Sequence, residues 1–406
     1  MAQELTSNSS ESERIVIAGA GPVGLFCAAL LVEAGYAVTV LEQNSRLSED
    51  MRASTFHPAT LDLLDQVRLA KSLVESGTRA RTWQYLIHGS DQRAVFDLDV
   101  ISDVTRFPFR LQCEQFRLTR LIEQTYRDNP LFELLLEHEL SSVQVMGRQV
   151  HVTVNSPTDE KRLASPWLIA ADGGKSTVRR LFGLPFTGSV FPKTSITLVL
   201  KHPFEKDQPE LLDVNYVWTE RAHYSLMRIR DLWRFSYSPD QDQTVEEALS
   251  EPVAQATLQS VFPADHLYEL LQRNYYTLHQ RCLESFRTGR VLFAGDSAHL
   301  NSPSGGMGMN SGLHDAQCLI EHLVPVLGGE SDKLLDRYSR RRRTIAIEEV
   351  QRLSAQNYRR HRETDPTRRR EIWQDLQDTV NNRERMRAFL LDASMISARK
   401  REQEIA

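Results

Sequence analysis

A glycine-rich turn between two apolar strands constrains the fold of this chain more than any other feature. The segment IVIAGAGPVGLFCAALLVEAGYAVTVLEQ reads as strand, turn, helix and second strand over residues 15–43. Gly19, Gly21 and Gly24 form the pattern G-x-G-x-x-G between the first strand and the helix. A β-α-β unit of this kind belongs to a parallel sheet covered by helices, so the chain is predicted to be an α/β protein.

Each residue of this turn suits the binding of a nucleotide. Gly19 permits the tight turn, Gly21 lets the backbone approach a pyrophosphate, and Gly24 lets the helix pack closely on the strand. The N-terminus of the helix offers free N–H groups to phosphate. Glu42 ends the second strand about 20 residues further on, where an acid binds ribose hydroxyls. This unit alone does not distinguish FAD from NAD.

Two later motifs indicate FAD. Asp172 follows the apolar strand LIAA in LIAADGGKSTVRR, and Asp296 follows the apolar strand VLFA in VLFAGDSAHLNSPSGGMGMNSGLHDA. An acid at the end of a strand can bind sugar or ribityl hydroxyls. The glycine-rich loop then starts a helix, so that Gly308, Met309 and Asn310 present backbone N–H groups to an electron-rich ring edge.

The three motifs, in this order, resemble those of the class A flavoprotein monooxygenases, the family of p-hydroxybenzoate hydroxylase. The resemblance covers residues 14 to about 343. It implies that Asp172 serves FAD and the pyridine nucleotide, and that Asp296 contacts the ribityl chain. It also implies that Gln115 lies near the cofactor, although Gln112 is a competing alignment. The candidate cofactor-binding residues are Gly19, Gly21, Gly24, Glu42, Arg52, Gln115, Asp172, Asp296, Gly308, Met309 and Asn310.

Two residues are candidates for a catalytic role because of the same resemblance. Arg52, in MRASTFHPATLDLLD, matches a family arginine near the flavin. Pro303 keeps the place of a proline whose backbone carbonyl faces the flavin, although the family often has two prolines here and this chain has Ser302-Pro303. The sequence singles out no general base and no metal site.

The resemblance implies an FAD-dependent monooxygenase that uses NADPH or NADH and O₂. The substrate is expected to be a small phenolic or heteroaromatic compound, hydroxylated through a flavin hydroperoxide. Other outcomes on the same scaffold remain open, namely oxidative ring cleavage, epoxidation or reduction. A non-catalytic flavin-binding redox sensor is a further alternative. A plain NAD-dependent dehydrogenase is disfavoured by the two later motifs.

The expected architecture is a discontinuous α/β fold. A Rossmann-like FAD-binding domain (GR2-type, p-hydroxybenzoate hydroxylase-like) is interrupted by an antiparallel-sheet substrate domain and followed by a C-terminal helical tail. The predicted boundaries are 14–78, 106–186 and 285–330 for the FAD-binding domain, 79–105 and 187–284 for the substrate domain, 331–406 for the C-terminal helical region, and 1–13 for a disordered leader.

The composition of the chain indicates which binding partners and which cellular compartment to expect. The chain has 406 residues, 41% of them hydrophobic, and a formal net charge of -5, which argues against a dedicated nucleic-acid binder. The four cysteines are scattered, as in proteins of a reducing compartment. Neither a signal peptide nor a membrane span is recognisable, so the cytoplasm is predicted. The oligomeric state is not determined, and a homodimer is one candidate.

Several further residues have both a functional and a structural interpretation. Aromatic residues alternate along the predicted strands of the substrate domain and either line an aromatic pocket or form a sheet core; they are Tyr216, Trp218, Trp233, Phe235 and Tyr237. Arg228 or Arg234 is a candidate for binding a substrate carboxylate. The basic run 340–343 is interpreted as a solvated helix face. His299 is expected to order the loop after the Gly-Asp motif.

Overall fold

A computed structural model describes residues 14–51, 53–191, 194–220, 222–239 and 243–406. The predicted leader, 1–13, and Arg52 lie outside the described residues. The strands are β1 (Ile15–Ala18), β2 (Val38–Leu41), β3 (Thr55–Phe56), β4 (Thr78–Ala80), β5 (Thr82–Ile87), β6 (Arg93–Asp97), β7 (Arg110–Gln112), β8 (Phe132–Leu135), β9 (Glu139–Met146), β10 (Gln149–Asn155), β11 (Glu160–Ser165), β12 (Leu168–Ala170), β13 (Thr187–Val190), β14 (Ser195–Lys201), β15 (Val214–Trp218), β16 (His223–Ile229), β17 (Leu232–Tyr237), β18 (Glu269–Tyr276), β19 (His279–Cys282), β20 (Arg287–Thr288), β21 (Val291–Phe293) and β22 (His299–Leu300).

The helices follow the same chain order. They are α1 (Pro22–Glu33), α2 (Pro58–Gln66), α3 (Ala70–Glu75), α4 (Gln115–Tyr126), α5 (Thr177–Leu181), α6 (Phe204–Asp207), α7 (Val245–Leu249), α8 (Glu251–Val261), α9 (Met307–Leu327), α10 (Lys333–Ile345), α11 (Arg352–Arg362), α12 (Pro366–Val380), α13 (Arg383–Ala393) and α14 (Ile396–Glu404). Short 3₁₀ helices occupy Leu98–Ile101 and Gly295–Ser297, and a π-helical stretch, Ala346–Gln351, joins α10 to α11.

One half of the molecule is built on a largely parallel sheet whose strand order is β20-β21-β12-β1-β2-β8. All its pairs are parallel except β20 with β21. The central strands are continuous apolar runs that are buried along their length, as expected when both faces of a sheet are covered. Helix α1 is apolar on every side and buried over most of its length, because it packs between this sheet, α4 and α9.

A second sheet has the order β18-β14-β17-β16-β15-β5-β6. Its neighbours pair in antiparallel fashion, as predicted, apart from the parallel pair of β5 with β15. The exception arises because β5 and β6 come from an earlier part of the chain. They join the edge of the sheet as a hairpin, with β5 against β15.

The two faces of this second sheet have different neighbours. Large apolar residues on one face pack against α7 and α8 in a separate hydrophobic core. The opposite face packs against α12 and α13 over β5 and β6, through Trp83 and Phe96 with Leu376 and Leu390. The rest of that opposite face borders a cavity. Alternation along the strands thus divides core residues from cavity residues.

The tail is helical, as predicted, and connects both halves. Tyr338 of α10 donates a hydrogen bond to the carbonyl oxygen of Phe293 in β21, at 2.6 Å. Trp218 of β15 donates one to the carbonyl oxygen of His361 in α11, at 3.0 Å. Three small sheets complete the fold, in the orders β11-β10-β9, β13-β19-β22 and β3-β7-β4. Within the described ranges, no helix combines the length and apolarity needed to cross a membrane.

Candidate active site

A cavity of about 580 Å³ lies where the parallel sheet meets the second sheet. Four parts of the chain contribute to its lining: the glycine-rich motifs, the segments around β3, β7 and α4, the second sheet, and the tail. Among the lining residues are Gly21, Pro22, Ser54, Trp83, Tyr85, Arg110, Gln115, Gly173, Tyr216, Arg234, Ser236, Asp296, Pro303, Gly308, Met309, Asn357, His361 and Phe389. Motifs far apart in the sequence therefore open onto one space.

The three glycines of the first motif have different environments. An ideal Cβ on Gly24 would lie 2.0 Å from the carbonyl oxygen of Gly19, and one on Gly19 would lie 2.5 Å from that of Ala171. Gly21 lines the cavity and has open space around it. Helix α1 begins at Pro22 without a side-chain cap and without an acid in its first turn. Its N-terminal N–H groups therefore remain available to an anion.

The predicted acids Glu42 and Asp172 do not themselves line the cavity, but Glu42 holds the turn before the lining residue Gly21, and Asp172 lies between the lining residues Ala171 and Gly173. Glu42 Oε2 accepts a hydrogen bond from the backbone N–H of Ala20 at 3.2 Å, and Oε1 accepts one from that of Asn44 at 3.0 Å. Asp172 Oδ2 accepts one from the backbone N–H of Val178 at 3.0 Å. Asp172 Oδ1 is buried without a partner in the described part of the chain, and burial raises the pKa of this carboxyl.

Asp296 lies on the cavity wall in the 3₁₀ turn that follows β21. The turn depends on Gly295, which has a φ of +65° and would place a Cβ 2.9 Å from Val23 of α1. The backbone N–H of Gly295 donates to Asp315 Oδ2 of α9 at 2.9 Å. Asp315 thereby holds the loop that carries Asp296.

The loop before α9 also faces the cavity. Pro303, Gly308 and Met309 line it, and α9 begins at Met307 after Gly306, which has a φ of +68°. No side chain caps this helix and its first turn contains no acid. The backbone here is therefore suited to an electron-rich group.

Asn310 serves this loop through its side chain and does not line the cavity. Its Oδ1 accepts from the backbone N–H of His57 at 2.9 Å, and its Nδ2 donates to the carbonyls of Thr55 and Gly306 at 2.8 and 2.7 Å. His57 Nε2 in turn donates to the carbonyl of Gly305 at 2.8 Å. Burial, followed by the charge of nearby Arg110, lowers the pKa of His57 to about 3. His57 is thus a neutral structural residue.

Gln115 lies at the first position of α4 and lines the cavity, whereas the competing Gln112 is buried against Thr55 at 3.0 Å. The backbone N–H of Gln115 donates to the carbonyl of Ala53 at 3.0 Å. Ala53 and Ser54 also line the cavity, directly after the undescribed Arg52. The geometry therefore favours the alignment at Gln115.

The interpretation of the aromatic strand residues as a pocket is wrong for most of them. Trp233, Phe235 and Tyr237 share a face, but this face packs against α7 and α8. Trp218 does not line the cavity, whereas Tyr216 does and stacks on Tyr85 at 5.2 Å between ring centroids. A period of two identifies which residues share a face without showing which face meets the cavity.

The two candidate arginines of this sheet also differ. Arg228 points away from the cavity and pairs with Glu205 at 3.4 Å and Asp213 at 4.0 Å. Arg234 lines the cavity, where its Nη1 donates to Ser54 Oγ at 3.1 Å and its Nε has no partner in the described ranges. Burial lowers the pKa of the Arg234 guanidinium.

Arg110 of β7 is a second cavity cation, which sequence analysis missed. It is 4% exposed, and its guanidinium lies 4.1 Å from the Trp83 ring centroid. Its Nη1 reaches the Tyr216 hydroxyl at 3.5 Å, and its Nε has no partner in the part of the chain that the structure describes. Considering only described residues, neither Arg110 nor Arg234 forms an ion pair with a carboxylate. Guanidinium groups stay charged, so this side of the cavity is positive.

The tail contributes a wall that the sequence did not predict. Asn357 and His361 of α11 line the cavity, as does Phe389 of α13. His361 Nε2 donates to the carbonyl of Tyr224 at 3.0 Å. Burial, with the charge of Arg362, lowers the pKa of His361 to about 3, so the imidazole is neutral. The charged composition of this segment gave no signal for a cavity wall.

The interpretation of 340–343 as a solvated face is wrong at Arg342, which is fully buried. Its Nε donates to Asp315 Oδ1 at 2.6 Å, and its Nη1 contacts the Glu402 carboxylate. The buried residues of α10 recur at 335, 338, 342 and 345, so helical periodicity was the available signal. His299 orders the loop, as expected, through a 2.7 Å contact with Asp315.

Comparison with known proteins identifies relatives along the whole chain. The family described as "FAD binding domain" matches residues 13–353. Para-nitrophenol 4-monooxygenase of a Pseudomonas species is 31% identical over 390 residues, 95% of this chain and 96% of that protein. The 6-hydroxy-3-succinoylpyridine 3-monooxygenase of Pseudomonas putida is 28% identical over 86% of this chain and 89% of that protein.

A solved structure agrees with these relatives. The p-nitrophenol 4-monooxygenase from Pseudomonas putida superposes with a TM-score of 0.88 at 29% identity, covering 94% of this chain and 97% of that chain. The fold and the relatives define an FAD-dependent aromatic monooxygenase that uses NAD(P)H. The chain belongs to the FAD-binding domain family, which confirms the predicted family, fold class and cofactor.

Proposed function

We propose that this enzyme hydroxylates a small single-ring phenol or hydroxypyridine that it binds as an anion. One observation carries the proposal: a single cavity joins the flavin-type loops to two guanidinium groups, that of the buried Arg110 beside Tyr216 and that of Arg234 beside Ser54. The named relatives act on para-nitrophenol and on a hydroxypyridine. Both compounds carry a hydroxyl group on an aromatic ring, and their electron-withdrawing substituents favour loss of its proton.

The residues around the cavity fit FAD. The uncapped start of α1 beside Gly21 suits the pyrophosphate, and Glu42, whose carboxylate holds the turn at Ala20, suits the ribose. Asp296 suits the ribityl chain, while the buried Oδ1 atom of Asp172, which has no partner among the described residues, leaves an acceptor for a ligand or for NAD(P)H. When bound, FAD supplies the redox and oxygen chemistry.

The remaining predicted residues belong to the same proposed site. The carbonyl of Pro303 and the N–H groups of Gly308 and Met309 would border the flavin ring. Asn310 would act through the bonds that shape this loop. Gln115 and Arg52 would border the cofactor from the segment opposite, Arg52 being assigned by sequence alone. Gly19 and Gly24 keep the turn compact.

The protein's own task is to bind, orient and desolvate the ring. Arg110 and Arg234 would favour the deprotonated phenolate over the neutral phenol, and the ring of the phenolate is the more electron-rich of the two. Tyr216, stacked on Tyr85, offers an aromatic surface for that ring. The tail residues Phe389 and His361 would exclude water from the far side.

The larger organisation is also proposed. The parallel sheet with its helices would form the FAD-binding domain, and the second sheet the substrate domain, with the boundaries predicted from the sequence. The four free cysteines support a reducing compartment, and we propose the cytoplasm. A homodimer remains a proposal that measurement of the mass in solution would test.

Oxidation of NADH and NADPH by the FAD-loaded protein tests the function. The panel should contain phenols, hydroxybenzoates and hydroxypyridines, each beside a neutral analogue such as the methyl ether or the amide. We expect one anionic compound to stimulate oxidation, with hydroxylated product matching the reductant consumed. If every ring compound fails to stimulate oxidation, or yields peroxide alone, hydroxylation of a small phenol is rejected.

Variants then test the anion site separately. Arg234→Gln and Arg110→Gln should each raise KM by tenfold or more, because a charge-assisted hydrogen bond contributes about 1.5–3 kcal/mol. Arg228→Gln is the matched control, since Arg228 lies in the same sheet with acidic partners and should leave KM unchanged. Equal use of neutral analogues by wild-type enzyme would reject the anion site while leaving the hydroxylase intact.

A further inference from the structure

The last helix of the chain is connected by charge to the loops that border the flavin site. Glu402 lies in α14, which is beyond the residues 13–353 that match the family. Its carboxylate contacts Nη1 of Arg342, and both side chains are buried. A buried carboxylate and a guanidinium in direct contact stabilise each other, because either one alone would be an uncompensated buried charge.

Arg342 divides its remaining donors between two parts of α9. Its Nε donates to Asp315 Oδ1 at 2.6 Å, and its Nη2 reaches Ser311 Oγ at 3.2 Å and the Ser311 carbonyl at 3.3 Å. Ser311 lies one turn after Met307, the first residue of α9. One guanidinium therefore fixes the first turns of the helix whose N-terminus faces the cavity.

Asp315 extends the connection to the Gly-Asp motif. Its Oδ2 accepts from the backbone N–H of Gly295 at 2.9 Å and contacts His299 Nε2 at 2.7 Å. Burial alone would raise the pKa of this carboxyl, but His299 and Arg342 together lower it to about 2. The carboxylate is therefore ionised, and it holds the turn that presents Asp296 to the cavity.

We propose that Glu402 is a positioning residue for the cofactor: through Arg342 and Asp315 it sets how tightly the chain binds FAD. Both cavity-facing segments, the turn at Gly295 and the start of α9, depend on the same guanidinium. Loss of the Glu402 charge leaves Arg342 with Asp315 as its one carboxylate partner in the described residues. Arg342 then moves, and the turn at Gly295 and the start of α9 lose their fixed positions.

The test is FAD binding to the deflavinated full-length chain, followed by flavin fluorescence. We expect Glu402→Gln to weaken FAD binding about tenfold, within the range of measured couplings between neighbouring charged groups. Glu404→Gln is the matched control, because Glu404 lies on the same helix and is exposed. Glu402→Asp keeps the charge on a shorter side chain and should show an intermediate loss, so a failure of the first variant to fold leaves a second measurement.

A double-mutant cycle separates positioning from general destabilisation. Arg342→Lys keeps a charge but loses the planar fork that reaches three partners. In that background, Glu402→Gln should weaken FAD binding by less than twofold. The proposal is overturned if the two effects are additive. It is also overturned if Glu402→Gln lowers the thermal midpoint of the apoprotein while its affinity for FAD equals that of the wild type.

Discussion

The two sides of the cavity are built by different means. The side proposed for the cofactor is made largely of backbone, with the turn at Gly19–Gly24, the turn at Gly295 and the uncapped starts of α1 and α9. The side proposed for the substrate is made of side chains from distant strands and from the tail, including Arg110, Arg234 and His361. Backbone sites need glycine at set spacings, whereas side-chain sites tolerate many sequences. This difference explains why the first side is recognisable in the sequence and the second is not.

The largest expected effect follows from the backbone character of the cofactor side. We expect Gly24→Ala to lower the free energy of unfolding of the apoprotein by about 3 kcal/mol, the upper range for overpacking. The added Cβ would meet the Gly19 carbonyl oxygen at 2.0 Å, so the strand and helix must separate. This cost exceeds the gain of up to about 1 kcal/mol from helix propensity. Urea unfolding of the deflavinated protein measures the change.

Gly21→Ala is the matched control for that substitution. Gly21 has a φ of -72° and open space around it, so the apoprotein should lose no more than about 1 kcal/mol. FAD binding should nevertheless weaken more than tenfold, because the methyl group enters the proposed pyrophosphate site. A Gly24→Ala variant as stable as wild type would show that the turn has more space than the geometry allows.

A comparable loss is expected at Asn310, where sequence and structure differ about the role of the side chain. Asn310→Ala removes three hydrogen bonds to backbone groups, two of them buried, at His57 and Thr55, and one partly buried, at Gly306. We expect the free energy of unfolding of the apoprotein to fall by about 3 kcal/mol, because the unpaired groups stay desolvated. Denaturant titration before and after FAD loading measures both effects.

Asn301→Ala provides the comparison for Asn310. Asn301 lines the cavity and donates one hydrogen bond, to the carbonyl of Ser302 at 2.7 Å, so its loss should be smaller. Should Asn310→Ala keep the stability of the apoprotein and yet abolish FAD binding, a direct contact with the cofactor would be the better account.

The sequence predicted the parallel sheet, the cofactor and the family because these depend on local patterns. Gly19, Gly21 and Gly24 lie within six residues, and the strand and helix on either side have their own periodicity. The cavity wall depends instead on tertiary contacts. Arg234 and Trp233 are neighbours in the chain, and only the packing of α7 and α8 decides which of them faces the cavity.

The tail shows where a pattern was present and outweighed by composition. A run of four arginines suggests a solvated face, but Arg342 lies on the apolar stripe of α10 with Leu335, Tyr338 and Ile345. The position of Glu402, 60 residues further on, has no sequence signal of its own. Burial of a charge depends on a partner that arrives through tertiary folding.

Titration of two of the buried histidines, one on each side of the cavity, gives a prediction of a smaller effect. His57 on the cofactor side and His361 in the tail both have a folded-state pKa of about 3, against an ordinary value of 6.5. Below about pH 6.5 each of these histidines therefore binds a proton in the unfolded chain but stays unprotonated in the folded chain. The stability that each contributes is complete above pH 6.5 and is lost as the pH falls towards 3.

His361→Gln should reduce the acid sensitivity of the fold. Between pH 6.5 and 5 the wild type loses about 2 kcal/mol per such histidine, at 1.36 kcal/mol per pH unit. The variant should lose that much less, and His57→Gln should behave alike. Thermal midpoints from pH 7.5 to 5 measure the slopes. A change in slope for one variant alone would show that the two sides of the cavity do not open in the same unfolding step.

The smallest effect is expected beside Glu402, on the exposed face of the same helix. Arg401 contacts Glu348 and Glu349, but its side chain is 43% exposed, and pairs of this kind contribute little to stability. We expect Arg401→Gln to change the thermal midpoint by about 1 °C at most and to leave FAD binding unchanged. The remaining difference should vanish in 1 M salt, which screens exposed charges. If Arg401→Gln and Glu402→Gln weakened FAD binding equally, FAD binding would depend on the packing of the whole tail, and the buried contact of Glu402 with Arg342 would have no specific effect on it.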